Sequence, residues 1–166
     1  MRKFVYQFSE GSKEMKNLLG GKGANLAEMT NIGLPVPPGF IISTAACNDY
    51  TNSNKHLAED IFEEVKIHLA ELERQTGKIF GFKENPLLVS VRSGAPFSMP
   101  GMMDTVLNLG LNDATAIGLA SLTNDSRSAL DSYRRFIQMF GDVVFEIPSY
   151  HFEQALTQIK KTNNYF

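Results

Sequence analysis

At 166 residues and 43% apolar content, the sequence is long enough to build a core, as one ordinary domain or one domain and the start of another. A formal charge of -2 removes any electrostatic case for nucleic acid or an anionic membrane surface, so an anion site has to rest on a few placed cations. One cysteine, Cys47, excludes an internal disulfide framework, and the opening MRKFVYQFSEG lacks the apolar stretch of a signal peptide. No run is long enough to cross a bilayer, and the expectation is a soluble, cytoplasmic domain.

Phe4, Tyr6 and Phe8 alternate with Val5 and Gln7, which predicts a short strand closed by Ser9-Glu10-Gly11. A polar helical turn is expected from Ser12, then a loop Gly20-Gly21-Lys22-Gly23 and a helix from Ala24 to about Asn31. Gly33 supplies the stop, and Pro35, Pro37 and Pro38 forbid continuation. Phe40-Ile41-Ile42 reads as a second strand, with Thr44 capping a short helix through Tyr50. From about Lys55 to Gln75, Leu57, Ile61, Val65, Leu69 and Leu72 recur on one helical face. A turn-rich patch over 77–86 precedes Leu87-Leu88-Val89-Ser90-Val91, an apolar run expected of a strand buried on both faces. Residues 93–105 form a loop rich in Gly, Pro, Ser and Met, and Val106–Gly110 a short strand. Beyond Asn112 the pattern turns helical, with helices at Ala114–Ala120, Ser126–Phe140 and from about Ser149, and Val143–Phe145 ambiguous. The fold class is α+β: a small mixed sheet with packed helices over 1–111, then the beginning of a helical subdomain over 112–166.

Lys22 stands between glycines before a helix start. Glycines let backbone N–H groups face a ligand, the helix N-terminus adds partial positive charge, and lysine adds a full one. The pattern is neither a Walker A loop, since Gly23 stands where Ser or Thr would hold magnesium, nor a dinucleotide fingerprint, since Leu26 replaces its third glycine. A glycine turn with a solvated lysine explains it as well. Arg92 follows the apolar run, at a strand end where open sheets place ligand crevices. A structural ion pair with a carboxylate is the competing reading there. Ser90 and Ser93 are potential donors beside it. The Met-rich loop through Asp104 and Thr105 suits a flap closing over a planar base, or equally a gap-filler against the core. Asp104 alone is a poor magnesium site. His56, His68 and His151 lack metal-binding spacing and suit helix surfaces. Adjacent Arg134 and Arg135 point roughly 100° apart and are not expected to share one ligand. Cys47 reads as an inert buried thiol.

The segments LLGGKGANLAEMTNIGLPVPPGF, LLVSVRSGAPFSMPGMMDTVLNLGLND and DSYRRFIQMFGDVV, in this order and spacing, strongly resemble the N-terminal end of the pyruvate, phosphate dikinase family. Related water dikinases resemble the GGK and V-R-S segments but not the SMPGMMDT wording. The resemblance implies part of an ATP-grasp domain, in an enzyme converting ATP, phosphate and pyruvate to AMP, pyrophosphate and phosphoenolpyruvate. A swivelling phosphohistidine domain and a pyruvate-binding barrel complete the family architecture. Lys22 and Arg92 match the family's phosphate-contacting cations. The implied nucleotide-side set is Lys22, Arg92, Gly21, Gly23, Ser93, Asp104 and Thr105. No catalytic residue and no metal ligand is assigned, because the phosphohistidine, the pyruvate site and the carboxylates holding magnesium under ATP are expected after Phe166. Pro96 departs from the Arg or Ala that relatives often carry. The implied partners are ATP, phosphate, pyruvate and the remaining domains of the same polypeptide. The alternative is a stand-alone, non-catalytic module binding anions or a partner through the same loops.

Overall fold

The structure, a computed structural model, describes residues 2–94 and 105–163. It is α+β, with six helices and three two-stranded sheets among the described residues in place of the single mixed sheet expected. Its packing divides it into two compact units. Among the described residues, one comprises 2–78 with 93–94, and the other 79–92 with 105–163.

In the first unit, β1 (Val5–Gln7) pairs antiparallel with β2 (Phe40–Ile42), placing Val5 opposite Ile42 and Gln7 opposite Phe40. Short 3-10 turns at Phe8–Glu10 and Lys13–Met15 lead into α1 (Lys16–Asn31). α1 ends in a paired-bond cap: Leu34 N–H donates to Met29 O at 2.9 Å and Gly33 N–H to Thr30 O at 3.1 Å, with Gly33 at φ 81°. α2 (Thr44–Asn52) follows β2 directly. Its cap is Ser43 rather than Thr44: the buried Ser43 hydroxyl accepts from Ala46 N–H at 3.4 Å, while Thr44 donates to Asn17 O at 2.7 Å. α3 (Glu59–Thr76) begins later than the periodicity suggests, because Asn54 and Lys55 take positive φ and leave Leu57 outside the helix and exposed. Gly77, at φ 66°, caps its end.

One core cluster joins Phe4, Val5, Ala45, Ala46 and Ile61. A second joins Leu19, Ala24 and Ile41, with Tyr6, Phe8, Met15 and Leu18 around it. The start of β1 is fastened to α3 by Glu64, whose Oε2 accepts from the N–H groups of Phe4 at 2.9 Å and Val5 at 2.8 Å. Cys47 is exposed on α2, not buried, because Ala45 and Ala46 take the inward positions beside it.

The second unit opens with two pairings the turn-rich sequence hides. β3 (Ile79–Phe80) runs parallel to β4 (Pro86–Leu87). β5 (Val89–Arg92) then pairs antiparallel with β6 (Thr105–Leu109), with a register shift between Val89 and Val91. The apolar run 87–91 is therefore split between two sheets, and it is not an inner strand. Leu87 is buried, yet Val91 is 48% exposed, because β5 has one described neighbour instead of two.

All regular secondary structure described after Asn112 is helical. α4 (Asp113–Thr123) is capped reciprocally: Asn112 Oδ1 accepts from Thr115 N–H at 2.8 Å, and Thr115 Oγ1 accepts from Asn112 N–H at 2.7 Å. α5 (Ser126–Phe145) starts at Asp125, which accepts from Ser128 N–H, and it absorbs the ambiguous Val143–Phe145. α6 (Ser149–Thr162) completes the described chain. Buried apolar side chains of this unit include Leu87, Val106, Leu111, Ala116 and Ala129.

Candidate phosphate-binding site

The glycine segment is not a loop. Helical structure runs through residues 16–31, broken at Gly20, whose φ of 70° and ψ of 167° lie in a region essentially restricted to glycine. Leu19 before the break and Ala24 after it both belong to the same core cluster, so the chain turns here without leaving the interior. The second helical segment thus begins at Gly21, earlier than the expected start at Ala24. Gly21, Lys22 and Gly23 occupy its first turn, where the positive end of the helix dipole lies.

The three residues do different things. Gly23 is buried against β2, where an added Cβ would meet Ile41 Cγ2 at 3.1 Å, so its small size seats the helix on the strand. Gly21 and Lys22 are half-buried. Lys22 forms no ion pair with any described residue, although Lys13, Lys3 and Lys66 in the same unit each find a carboxylate.

Ser93 and Gly94 belong to the same unit as Lys22. Gly94 lies against the helix break: a Cβ on Gly20 would stand 3.4 Å from both the Cα and the carbonyl carbon of Gly94. The structure therefore brings the segment 93–94 onto the start of the Lys22 helix. Neither Gly20 nor Gly94 was among the residues expected at the site. The doubled glycine before Lys22 was the available signal, since a helix start alone needs only one.

Arg92 belongs to the second unit. It sits opposite Thr105 in the β5–β6 register, so two expected site residues share one hairpin position. Arg92 is exposed and forms no ion pair with a described residue, which sets aside a structural salt bridge among those residues. The strand end it occupies belongs to a two-stranded hairpin, not to an inner strand. Asp104 and the rest of 95–104, within the loop expected to act as a flap, lie outside the described residues.

Among the described residues, no group of three or more His, Cys, Asp or Glu side chains is suited to hold a metal ion. His68 is half-buried, with Nδ1 2.8 Å from Glu64 O and its ring against Phe40. Arg134 and Arg135, expected to diverge, converge on Asp131. Arg134 Nη2 lies 2.9 Å from Oδ1 and Arg135 Nη2 2.7 Å from Oδ2, because i+3 and i+4 both return to the face of residue i. Arg134's hydrogen bonds, with the charge of Arg135, hold the Asp131 carboxyl below its usual range. No described helix is long and apolar enough to cross a membrane.

Residues 16–79 match the family described as pyruvate phosphate dikinase, AMP/ATP-binding domain. The Lys22 helix and both core clusters' residues from Lys16 onward fall inside that match. Over 161 residues, 97% of this chain, the sequence is 55% identical to the pyruvate, phosphate dikinase of Clostridium symbiosum, of which it spans 18%. It is 52% identical over 156 residues to the Entamoeba histolytica enzyme, covering 94% of this chain and 18% of that protein. With pyruvate, phosphate dikinase 1, chloroplastic, of Arabidopsis thaliana, identity is 57% over 153 residues, 92% of this chain and 16% of the relative. The chain spans less than a fifth of the length of the curated relatives it matches, and over that span its sequence is similar to pyruvate, phosphate dikinases.

Proposed function

We propose that this chain is a segment of a pyruvate, phosphate dikinase and supplies the phosphate side of its ATP site. The observation that carries the reading is Lys22: a half-buried cation without an ion pair among the described residues, in the first turn of a helix, inside the stretch that matches an AMP/ATP-binding domain. A cation held there is set to neutralise phosphate oxygens, and the amides of that turn add their dipoles. Arg92, exposed at the end of β5 opposite Thr105, is the second cation of the reading, with Gly21, Gly23, Ser93, Asp104 and Thr105 as further nucleotide-side residues.

The reaction is conversion of ATP, phosphate and pyruvate to AMP, pyrophosphate and phosphoenolpyruvate by the full-length polypeptide. Phosphoryl transfer gains most from positioning and charge neutralisation, and those are the services these residues offer. Magnesium bound with ATP would neutralise phosphate charge further. We assign its ligands to other parts of the full-length polypeptide. An ATP-grasp architecture, a subdomain boundary near Asn112 and a cytoplasmic location complete the proposal. Residues 95–105 are assigned the role of a flap ordered by nucleotide.

The test is an assay of the full-length polypeptide for pyruvate-dependent AMP formation, beside a mass measurement of the native protein. Turnover by a polypeptide several times longer than 166 residues is the expected result. A native protein of this length that binds anions without turnover would replace the reading with the non-catalytic module.

A further inference from the structure

We propose that Gly20 is a positioning residue for Lys22, acting through a backbone conformation that other L-residues adopt only under strain. The inference rests on the reading of Lys22 as a phosphate-binding cation and extends it to a residue that touches no ligand.

Three observations combine. Gly20 is buried, and its φ of 70° with ψ of 167° is the conformation at which the first helical segment stops and the Lys22 segment starts. That pair of angles sets the direction of the new helix axis, and therefore where its first turn presents Lys22. Gly94 lies against the same point, close enough that a Cβ on Gly20 would stand 3.4 Å from its backbone. The residue that aims the helix thus also seats the segment running from Ser93 to Gly94. An L-side chain at position 20 would meet a torsional penalty, while its Cβ would lie in van der Waals contact with Gly94. Relief by rotating φ to negative values would swing Lys22 away from its present place.

A Cβ on Gly94 would stand 3.8 Å from Gly20 Cα and 4.0 Å from Leu19 O, which is ordinary van der Waals contact. Gly33 provides an internal control, since it also holds positive φ, at 81°, but an added Cβ there meets nothing within 4 Å. Gly20→Ala and Gly33→Ala therefore both force an L-residue to positive φ and differ in what lies around them.

The experiment is made in the full-length polypeptide, measuring the melting temperature, the rate of enzyme phosphorylation by magnesium–ATP, and the pyruvate half-reaction. G20A and G33A should both lower the melting temperature. Only G20A should slow phosphorylation by ATP, by about 10-fold to 100-fold, the range expected when a catalytic contact is displaced by about an ångström. In a K22A background, G20A should add little further loss, because it acts through the lysine already removed. D-alanine introduced at position 20 by ligation should keep the rate, since positive φ is natural to it, and this variant decides the matter if G20A does not fold. Equal rates for G20A, G33A and wild type, with K22A slow, would overturn the positioning role and leave the phosphate-site reading standing. A K22A variant as fast as wild type would overturn the reading itself. Full additivity of G20A and K22A, or loss of rate with D-alanine, would also overturn the inference.

Discussion

Gly118 lies in the interior of α4, where helix propensity alone says that alanine is better by about 1 kcal/mol. The structure reverses the sign. α4 passes directly over the turn between β3 and β4, and a Cβ at position 118 would stand 1.7 Å from the carbonyl oxygen of Lys83 and 2.7 Å from its carbonyl carbon. Both obstructing atoms are backbone, so no side-chain rotamer relieves the overlap, and helix or turn has to retreat as a unit. Retreat would loosen the packing of α4 beside buried Thr115 and Ala116. Forcing extra volume into a close-packed site costs about 1–3 kcal/mol, and more where backbone must move. Set against the propensity gain, Gly118→Ala should destabilise by about 2 kcal/mol. Urea unfolding should show a lower midpoint with the slope unchanged, as expected when stability alters without a change in the surface exposed. A Gly118→Ala variant as stable as wild type, or more so, would refute the close approach of α4 to Lys83.

Three further outcomes follow from other contacts. Glu64→Ala should cost about 3 kcal/mol, because it leaves the buried N–H groups of Phe4 and Val5 without their shared carboxylate acceptor, and Glu64→Gln about half of that. Denaturant unfolding of the two variants checks both the size and the order. The Glu71 carboxyl, held at about 2 by the hydrogen bonds of Arg74 first and Gln75 second, should titrate near that value by carbon NMR. Since its folded value lies below the unfolded one, its contribution to stability is complete above about pH 4.5 and is lost as pH falls toward 2. Arg74→Ala should return that midpoint toward the ordinary glutamate range, and an unmoved midpoint would contradict the cause given.

Much of the fold was legible because periodicity and terminators act locally. The strands at Phe40–Ile42 and Thr105–Leu109, the stops at Gly33 and Gly77, and the last three helices follow from apolar spacing and capping chemistry. Where the sequence misled, a tertiary choice decided. The run from Leu87 to Val91 carries the composition of a buried inner strand, yet the chain divides it between a parallel pair and an antiparallel one. Three glycines within four residues read as a loop, whereas Leu19 and Ala24 anchor both sides of Gly20 in one core and keep the stretch helical apart from one residue. At the site, Lys22 and Arg92 stood out by residue type and place, and the family resemblance gave them a role. The contact of Gly94 with Gly20 was not legible, because it joins residues far apart in sequence that carry no side chains to pattern.

The central claim is that Lys22 and Arg92 serve ATP's phosphates, and partial-reaction kinetics on the full-length polypeptide test it most directly. Lys22→Ala and Arg92→Ala, measured singly, should each slow enzyme phosphorylation by magnesium–ATP by the equivalent of about 2–4 kcal/mol, the usual worth of a charge-stabilising contact in a transition state. The pyruvate half-reaction should proceed at nearly the wild-type rate in both. Equal damage to the two halves, or none to either, would contradict the account.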